Sequence, residues 1–515
     1  MCGIFTLING PSQAKILETA FKIQSRGPDN SVVMNTKGGT MIFHRLAIVD
    51  NSTAGNQPMT HPDNHAIISM CNGEIYNHAE LREKYNFNCF SNSDCEIICH
   101  MYERFGIEKT VKELDGVFAF ILYDGEKDCF FAGRDPFGVR PLFIGKDMND
   151  QIVLGSEVKC LSHSLKEVKQ FEPGSFWCSK SPEIFTKFES RNYDWESIKD
   201  DSEKDCLRAE ESIHRLMNRA VEKRLMSDRQ IGCFLSGGVD SSIVAALLAK
   251  MLAKEGKKLN TYSIGMKGAT DLEYARIVAD HIGSNHNEVI VTDHQMLAAI
   301  PEVVRTLESY DITTVRASTP MYLLSKWIKE NTQDVVIFSG EGSDEMSGSY
   351  LYFHLAPSDE AFQNECHRLC QDLHYYDVLR CDRAVSTWGL EVRVPFLDMD
   401  FVNYYMKIDP SLKRPKDGME KHLLRKSFAR DNLLPDSVLW RKKEAFSDGC
   451  SSLEKPWFKI IQDHCSVNVN QNTVNAEAAW YKKLFDENYE GFDNLIPYIW
   501  LPKWTSEKDP SARLL

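Results

Sequence analysis

Along the first third of the chain, apolar residues come in short runs broken by turn residues: GIFTLI, MIFHRLAIV, HAIISMC, GVFAFILYD, CFFAG and QIVLG. Runs of this length between Gly, Asn and Asp predict β-strands. One segment among them, DCEIICHMYERFG, spaces Ile97, Ile98, Met101, Tyr102 and Phe105 at i, i+3, i+4 intervals, which predicts a helix laid on a sheet. The first region therefore reads as α+β. From 179 to 205, SKSPEIFTKFESRNYDWESIKDDSEKD loses periodicity and gains charge, as a connection does. Beyond it the pattern alternates: a helix over 206–226, strand QIGCFL, a Gly loop, a helix, strand TYSIG, a helix, strand EVIVT, more helices and strand DVVIFS, with helical patterns from about 350 onward. Such alternation predicts a doubly wound parallel sheet that binds ligands at the carboxyl ends of its strands. The division expected is 2–180, a connection at 181–205, and 206–515.

Composition narrows the class. Of 515 residues, 43% are hydrophobic and 26% charged, and the longest apolar run, VFAFILY at 117–123, falls far short of a membrane span, which needs roughly 20 residues. Neither a membrane nor nucleic acid is an expected partner, since 60 basic against 74 acidic residues give a net charge of −14, the wrong sign for counterion release. Fifteen cysteines without a C-x-x-C pair predict reduced thiols. MCGIFTLING lacks a basic, apolar leader pattern, so the expected location is cytoplasmic.

QIGCFL runs into SGGVDSS and then IVAALLAKML. This sets Ser236, Gly237 and Gly238 on a strand-to-helix turn, with Ser241 and Ser242 opening the helix. Glycines let the backbone approach an anion, free N–H groups at the helix start point at its oxygens, and hydroxyls add donors. The spacing is not that of a Walker A loop. Asp240 places an acid where Mg²⁺ bridges phosphates. For SGG alone an ordinary Gly-Ser turn is the alternative, but the full heptapeptide resembles the PP-loop of ATP pyrophosphatases. That resemblance implies ATP cleavage between the α and β phosphates and adenylation of a carboxylate. A second polar turn, SGEGSDE at 339–345, follows DVVIFS and is expected at the same sheet edge, so that Ser339 and Gly340 meet the same nucleotide. Within it Asp344 is a candidate Mg²⁺ ligand beside Asp240, and Glu341 a candidate proton acceptor during attack by an amine; the alternative is a solvated acidic turn. Leu235 and Ile264, ending their strands, are candidates to pack on adenine, or ordinary core.

Cys2 is a second chemical signal. Removal of Met1 would put thiol and α-amine on one residue, and an amine with an ordinary pKa of about 7.7–8.0 can take the thiol proton. By position alone Cys2 is a small, partly buried residue, but its companions change that reading. MCGI, SRGPDN at 25–30, HRLAIVD at 44–50, NGEIYN at 72–77 and GRDPFGVRPLF at 133–143 together resemble class II glutamine amidotransferases. Followed by SGGVDSS, SGEGSDE, GLEVRVPFLD and KEAFSDG, the order is similar to the glutamine-hydrolysing asparagine synthetase family over nearly the whole chain, as are DITTVRAS, EKHLLR and DPSAR.

The resemblance implies an N-terminal-nucleophile glutaminase domain with antiparallel sheets between helices, followed by an α/β ATP pyrophosphatase domain. It implies that Cys2 attacks glutamine to give a γ-glutamyl thioester, with the Asn72 amide and the Gly73 N–H, just after HAIISMC, holding the oxyanion. Arg45 would take the α-carboxylate and Asp94 the α-ammonium of glutamine, with Leu46, Ala47, Ile48, Val49 and Glu74 completing the pocket. In the second domain it implies β-aspartyl-AMP, with Mg²⁺ on Asp240 and Asp344, Lys443 stabilising charge at the α-phosphate, and Glu341 positioning or deprotonating ammonia. Thr313, Thr314, Arg316 and Arg393 would bind aspartate, an ordinary salt bridge being the alternative for Arg393. Ammonia needs a water-excluding passage, for which the strand end near Met70 and Cys71 is a candidate. The partners implied are L-glutamine, L-aspartate, ATP and a second copy of the chain.

The chain departs from the family pattern after SGEGSDE, where MSGSY puts Ser349 in place of a glycine. Cys95 with Cys99 and Cys366 with Cys370 form C-x-x-x-C pairs that suit core packing or a metal. Rival readings are a cyclase or an amidotransferase for another carboxylate, and a non-catalytic homologue. The retained Cys2 opposes the cyclase, and retention of Cys2, Asp240 and Glu341 opposes the last.

Overall fold

The structure, a computed structural model, describes residues 1–10, 14–161, 165–189, 203–468 and 473–511. The chain divides into two compact units. The first is Met1–Arg191 with two short returns, Met226–Arg229 and Val385–Glu391; the second is Asn192–Leu225, Gln230–Ala384 and Val392–Leu515. The expected connection at 181–205 includes 190–202, which lie outside the described residues.

Among the described residues twelve strands build the first unit: β1 Gly3–Ile8, β2 Asn30–Thr36, β3 Gly39–Arg45, β4 Met59–Thr60, β5 Ile67–Ile75, β6 Gly116–Asp124, β7 Cys129–Arg134, β8 Phe143–Asp147, β9 Ile152–Gly155, β10 Leu165–Gln170, β11 Ser175–Cys178 and β12 Phe185–Lys187. They form two six-stranded sheets, ordered β10-β8-β9-β1-β3-β2 and β12-β11-β7-β6-β5-β4. β1 and β3 are buried along their whole length, which is why they read as continuous apolar runs rather than alternating ones. The helix Ile97–Glu113 packs on the second sheet through Ile97, Ile98, Met101 and Tyr102, all buried; each such side chain is worth about 1.5–3 kcal/mol. Gly106, at φ 75°, interrupts that helix.

Three strand limits differ from the pattern. MIFHRLAIV leaves the sheet at Arg45, because Leu46–Val49 spend their backbone groups elsewhere: the Ala47 N–H on Asp29 at 2.8 Å and the Ile48 carbonyl on the Asp228 N–H at 2.8 Å. HAIISMC continues to Ile75, so Asn72 and Gly73 lie inside β5 rather than after it. Pairing with β6 demands this, Asn72 opposite Ala119 and Gly73 opposite Phe118. β12 falls inside the expected connection, paired with β11.

The second unit holds β13 Gln230–Phe234, β14 Asn260–Gly265, β15 Asn285–Ile290 and β16 Asp334–Phe338, all parallel, with β17 Glu391–Arg393 at the edge. EVIVT thus starts its strand earlier, at Asn285, in register with β14. The helix expected over 206–226 is Glu203–Glu222 followed by a tighter turn, Lys223–Leu225. The order β15-β14-β13-β16 winds outward one way from β13 and then resumes on its other side. β13 and β16 therefore flank the point where the winding reverses, the place where open parallel sheets form a ligand crevice. Among the described residues no helix is long and apolar enough to cross a membrane.

Candidate active sites

In the first unit Cys2 precedes β1 and is buried, its Sγ 3.5 Å from the Leu46 N–H nitrogen and 3.7 Å from the Leu46 carbonyl. Arg26 fixes its backbone: Nε donates to the Cys2 carbonyl at 2.9 Å, while Nη1 donates to Glu157 at 2.5 Å and to the Ser386 hydroxyl at 2.8 Å. With Met1 in place, burial pushes the thiol up to about 11 and the Met1 amine down to about 6. That amine lies 3.5 Å from the Leu390 carbonyl and 3.9 Å from Glu391, on the second return of the chain.

β1 packs against β5, which carries Asn72. The Asn72 side chain is completely buried, and neither its amide nitrogen nor its oxygen has a partner. A buried carboxamide without hydrogen bonds costs about 1–3 kcal/mol, so its persistence marks a place for a polar ligand atom. Gly73 is obligatory next to it: at φ 154°, an added Cβ would stand 2.1 Å from the Val117 carbonyl oxygen. Asp94 is buried and accepts the Ile75 N–H at 2.7 Å. Arg45 donates to the Ser52 carbonyl at 2.8 Å, to Asn56 at 2.7 Å and to the Asp50 carbonyl, which leaves two of the five guanidinium N–H groups for a ligand. Leu46, Ala47, Ile48 and Glu74 are buried around them, and Val49 is half-buried. Met70 and Cys71 are buried within β5.

The GRDPFGVRPLF motif is scaffolding. Asp135 accepts backbone N–H groups from Phe118, Phe137, Val139 and Arg140 at 2.9–3.2 Å, and Arg134 donates to the Arg140, Gly138 and Phe171 carbonyls.

In the second unit, Leu235–Gly238 link β13 to the helix Val239–Lys254. Gly237, at φ 73°, allows Tyr274 and Ala275 to approach to 2.5 Å of where a Cβ would be. The Ser236 and Ser241 hydroxyls lie 3.0 Å apart across the turn, and the Ser242 hydroxyl is buried without a partner. A cleft opens there, lined by Leu235, Ser236, Gly238, Asp240, Ser241, Ile264, Thr313, Ser339, Gly340, Glu341, Asp344 and Lys443. Both predicted turns thus face one space.

Asp240, Asp344 and Lys443 of its lining belong to a charge cluster completed by the buried Lys421. Lys421 Nζ donates to Asp240 at 2.6 Å and to Asp344 at 2.5 Å, and Lys443 Nζ donates to Asp344 at 2.5 Å. The Ser343 hydroxyl donates to Asp240 at 2.7 Å and the Ser349 hydroxyl to Asp344 at 2.5 Å. Burial raises the Asp344 carboxyl, but the two ammonium groups outweigh it and hold the acid far below the usual range. Lys443 is shifted up: burial opposes its charge, and Asp344 and Asp240 prevail. Glu341 is raised by burial although Arg380 stands 2.6 Å away. Asp271, against Arg441 at 2.9 Å, is raised by burial to about 7.

Three expected aspartate ligands lie elsewhere. Arg316 is buried between Glu477 at 2.6 Å and Asp509 at 2.7 Å, two carboxylates that satisfy its charge inside the fold. Arg393 is buried with Nη1 donating to the Arg224 carbonyl. Thr314 gives its N–H and hydroxyl to Asp311, capping its own helix. None of the three lines the cleft, whereas Thr313 does, with its buried hydroxyl unpartnered. Pattern reading missed Lys421, Arg380, Asp271 and Arg441. EKHLLR contains Lys421, but its backbone turn, left-handed at φ 56°, and its reach to two distant loops leave no periodic trace.

Two units, one with a buried N-terminal thiol and one with a strand-end anion loop, define a glutamine amidotransferase domain joined to a nucleotide-type synthase domain. A glutamine amidotransferase domain family matches residues 1–177, and an asparagine synthase family matches 212–361 and 355–507. The chain is 43% identical to the asparagine synthetase [glutamine-hydrolyzing] of Mus musculus and, equally, to that of Homo sapiens, and 42% identical to that of Gallus gallus; each alignment covers 100% of this chain and 98% of the relative. The chain belongs to the glutamine-hydrolysing asparagine synthetase family.

Proposed function

We propose that the chain makes asparagine from aspartate, glutamine and ATP. The observation that carries this reading is the convergence of Asp240, Asp344, Lys421 and Lys443 at the β13/β16 edge, in a chain whose residue 2 is a buried thiol.

After loss of Met1, the Cys2 α-amine takes the thiol proton, Sγ attacks the glutamine side-chain carbon, and the resulting ammonium returns that proton to the departing amide nitrogen. Asn72 and the Gly73 N–H stabilise the oxyanion, ammonia leaves, and water cleaves the thioester to glutamate. Arg45 and Asp94 hold the two ends of the amino acid. At the second site the aspartate β-carboxylate attacks the α-phosphorus of ATP and pyrophosphate departs. Lys443 and Lys421 offset charge on the phosphates, the loop Ser236–Gly238 and Ser241 hold pyrophosphate oxygens, and Leu235 and Ile264 face the adenine. Asp240 and Asp344, an all-oxygen pair already sharing one cation, suit Mg²⁺, which when bound neutralises phosphate charge. Ammonia then adds to the acyl carbon, AMP leaves, and Glu341, with its raised pKa, accepts the proton. Thr313 contacts aspartate. Transfer without loss to water requires a closed route for ammonia, with Met70 and Cys71 as candidate lining. The reading extends to a cytoplasmic homodimer.

The test supplies aspartate, MgATP and glutamine labelled with ¹⁵N at the amide. Labelled asparagine with equal AMP is expected. Glutamate and AMP without asparagine would assign another acid as acceptor, and no product even with ammonia would favour a non-catalytic homologue.

A further inference from the structure

Outside both sites, three side chains of different chemistry meet at the turn that opens the helix Ile97–Glu113. Glu96 and His100, four residues apart, share one face, and His100 Nε2 lies 3.3 Å from Glu96 Oε1. The preceding loop is pinned to the same carboxylate. The Phe90 N–H donates to Oε1 and the Ser91 N–H to Oε2, each at 2.7 Å, and the Ser91 hydroxyl donates to Oε2 at 2.5 Å. This pinning carries Cys89 over the pair, so that a thiol sulfur, a carboxylate oxygen and an imidazole nitrogen all lie within 4.8 Å of one another. Glu96 and His100 are buried and Cys89 is half-buried, which leaves one side open.

We propose that Cys89, Glu96 and His100 bind a transition-metal ion of the Zn²⁺ class, with an open fourth position, and that the ion clips the 86–93 loop to the helix. Thiolate, imidazole and carboxylate together suit Zn²⁺ or Co²⁺, whereas Mg²⁺ and Ca²⁺ take oxygen donors. Bonds of about 2.0–2.3 Å in a tetrahedron set ligand atoms about 3.3–3.8 Å apart. The Glu96–His100 pair already has that spacing, and the thiol needs to close in by no more than about 1.5 Å. The backbone donors on Glu96 orient it as metal-bound carboxylates are oriented. The His61 ring meets the His100 ring edge-on at 4.6 Å, and its own Nδ1 accepts the Asn64 N–H at 3.0 Å, which walls one side of the imidazole. Binding releases the thiol proton and the proton that His100 Nε2 holds against Glu96 to water, leaving thiolate and carboxylate to balance a divalent charge and a neutral imidazole as the third ligand. The same turn carries Asp94, two residues from Glu96, so the clip also steadies that carboxylate. Nothing in this site depends on the reaction proposed above.

The full-length protein, freed of metal by a chelator, is titrated with Co²⁺. One equivalent is expected to produce a near-ultraviolet thiolate-to-cobalt charge-transfer band, bleached by one equivalent of Zn²⁺, absent from Cys89→Ser and retained in Cys206→Ser. Zn²⁺ should raise the Tm of the parent and leave that of Cys89→Ser unmoved. A parent without the band, or a Cys89→Ser variant that keeps it, overturns the proposal. If Cys89→Ser fails to fold by circular dichroism, His100→Gln decides by the same two readouts.

Discussion

In the first unit the Cys2 thiol is buried against the Leu46 backbone, and on β5 the Asn72 carboxamide is buried without a partner; at the β13/β16 edge, two carboxylates and two ammonium groups are joined by hydrogen bonds of 2.5–2.6 Å. The first arrangement stores unused hydrogen-bonding capacity. The second stores paired charge, so each group depends on its neighbours. Deleting a member of the first should harm the reaction more than the fold, while deleting a member of the second should harm both.

The largest break comes from Cys2→Ala. Glutamine-dependent asparagine formation should fall by more than about 10³-fold, as when a nucleophile is lost, while formation from added ammonia stays within about 3-fold of the parent. Equal loss with both nitrogen donors would refute the division of labour. Next is Lys443→Met, which should cut aspartate-dependent pyrophosphate release by about 10²–10³-fold, leave glutamine hydrolysis in place, and lower the Tm, since Asp344 loses a partner. Retained Tm would mean that Lys421 alone balances Asp344.

Asn72→Ala sharpens the contrast. Loss of an oxyanion donor should reduce glutaminase kcat by about 10²-fold or more with a smaller change in KM. Because the carboxamide has no partner to lose, denaturant unfolding should show no destabilisation beyond that of the small void. A kcat near the parent value would remove Asn72 from the mechanism.

A pH test follows from Asp271, raised by burial to about 7. Its ordinary value is about 3.9, so the folded protein binds this proton more tightly than the unfolded chain. The group is neutral in both states below about pH 4; stability then falls as pH rises and levels off above about 7, a change of about 2–4 kcal/mol. Asp271→Asn should flatten that slope in urea midpoints measured from pH 4.5 to 8. An unchanged slope would place the titration elsewhere.

What could be read from the sequence follows the same contrast. Runs such as GIFTLI and DVVIFS are legible because burial on both faces leaves an apolar signature, and the loop SGGVDSS because its glycines and serines sit at a strand-to-helix turn. Leu46–Val49 looked like strand because apolar composition does not reveal that their carbonyls and N–H groups bind Cys2, Asp29 and Asp228. The returns at 226–229 and 385–391 were silent for the same reason. Arg316 belongs to a motif but is consumed by Glu477 and Asp509, more than 160 residues downstream. Lys421 reaches Asp240 from 181 residues away. Long-range charge pairing leaves no period in a sequence, whereas packing does.

The smallest expected effect concerns Ser349, where this chain departs from the glycine expected in that loop. Its buried hydroxyl donates to Asp344 at 2.5 Å, on the oxygen that also meets Lys421. A hydrogen bond to a charged group is worth about 1.5–3 kcal/mol, but two ammonium groups remain on Asp344 after its loss, so only a fraction should register. Ser349→Ala is therefore expected to raise the MgATP concentration for half-maximal rate by about 3- to 10-fold, with kcat near the parent value and glutaminase untouched. The hydroxyl would then act by holding Asp344 in place for the nucleotide. A fall in kcat at saturating MgATP with unchanged half-saturation would instead place Ser349 on the path of the reacting groups, and the charged cluster would be less self-sufficient than its pairing implies.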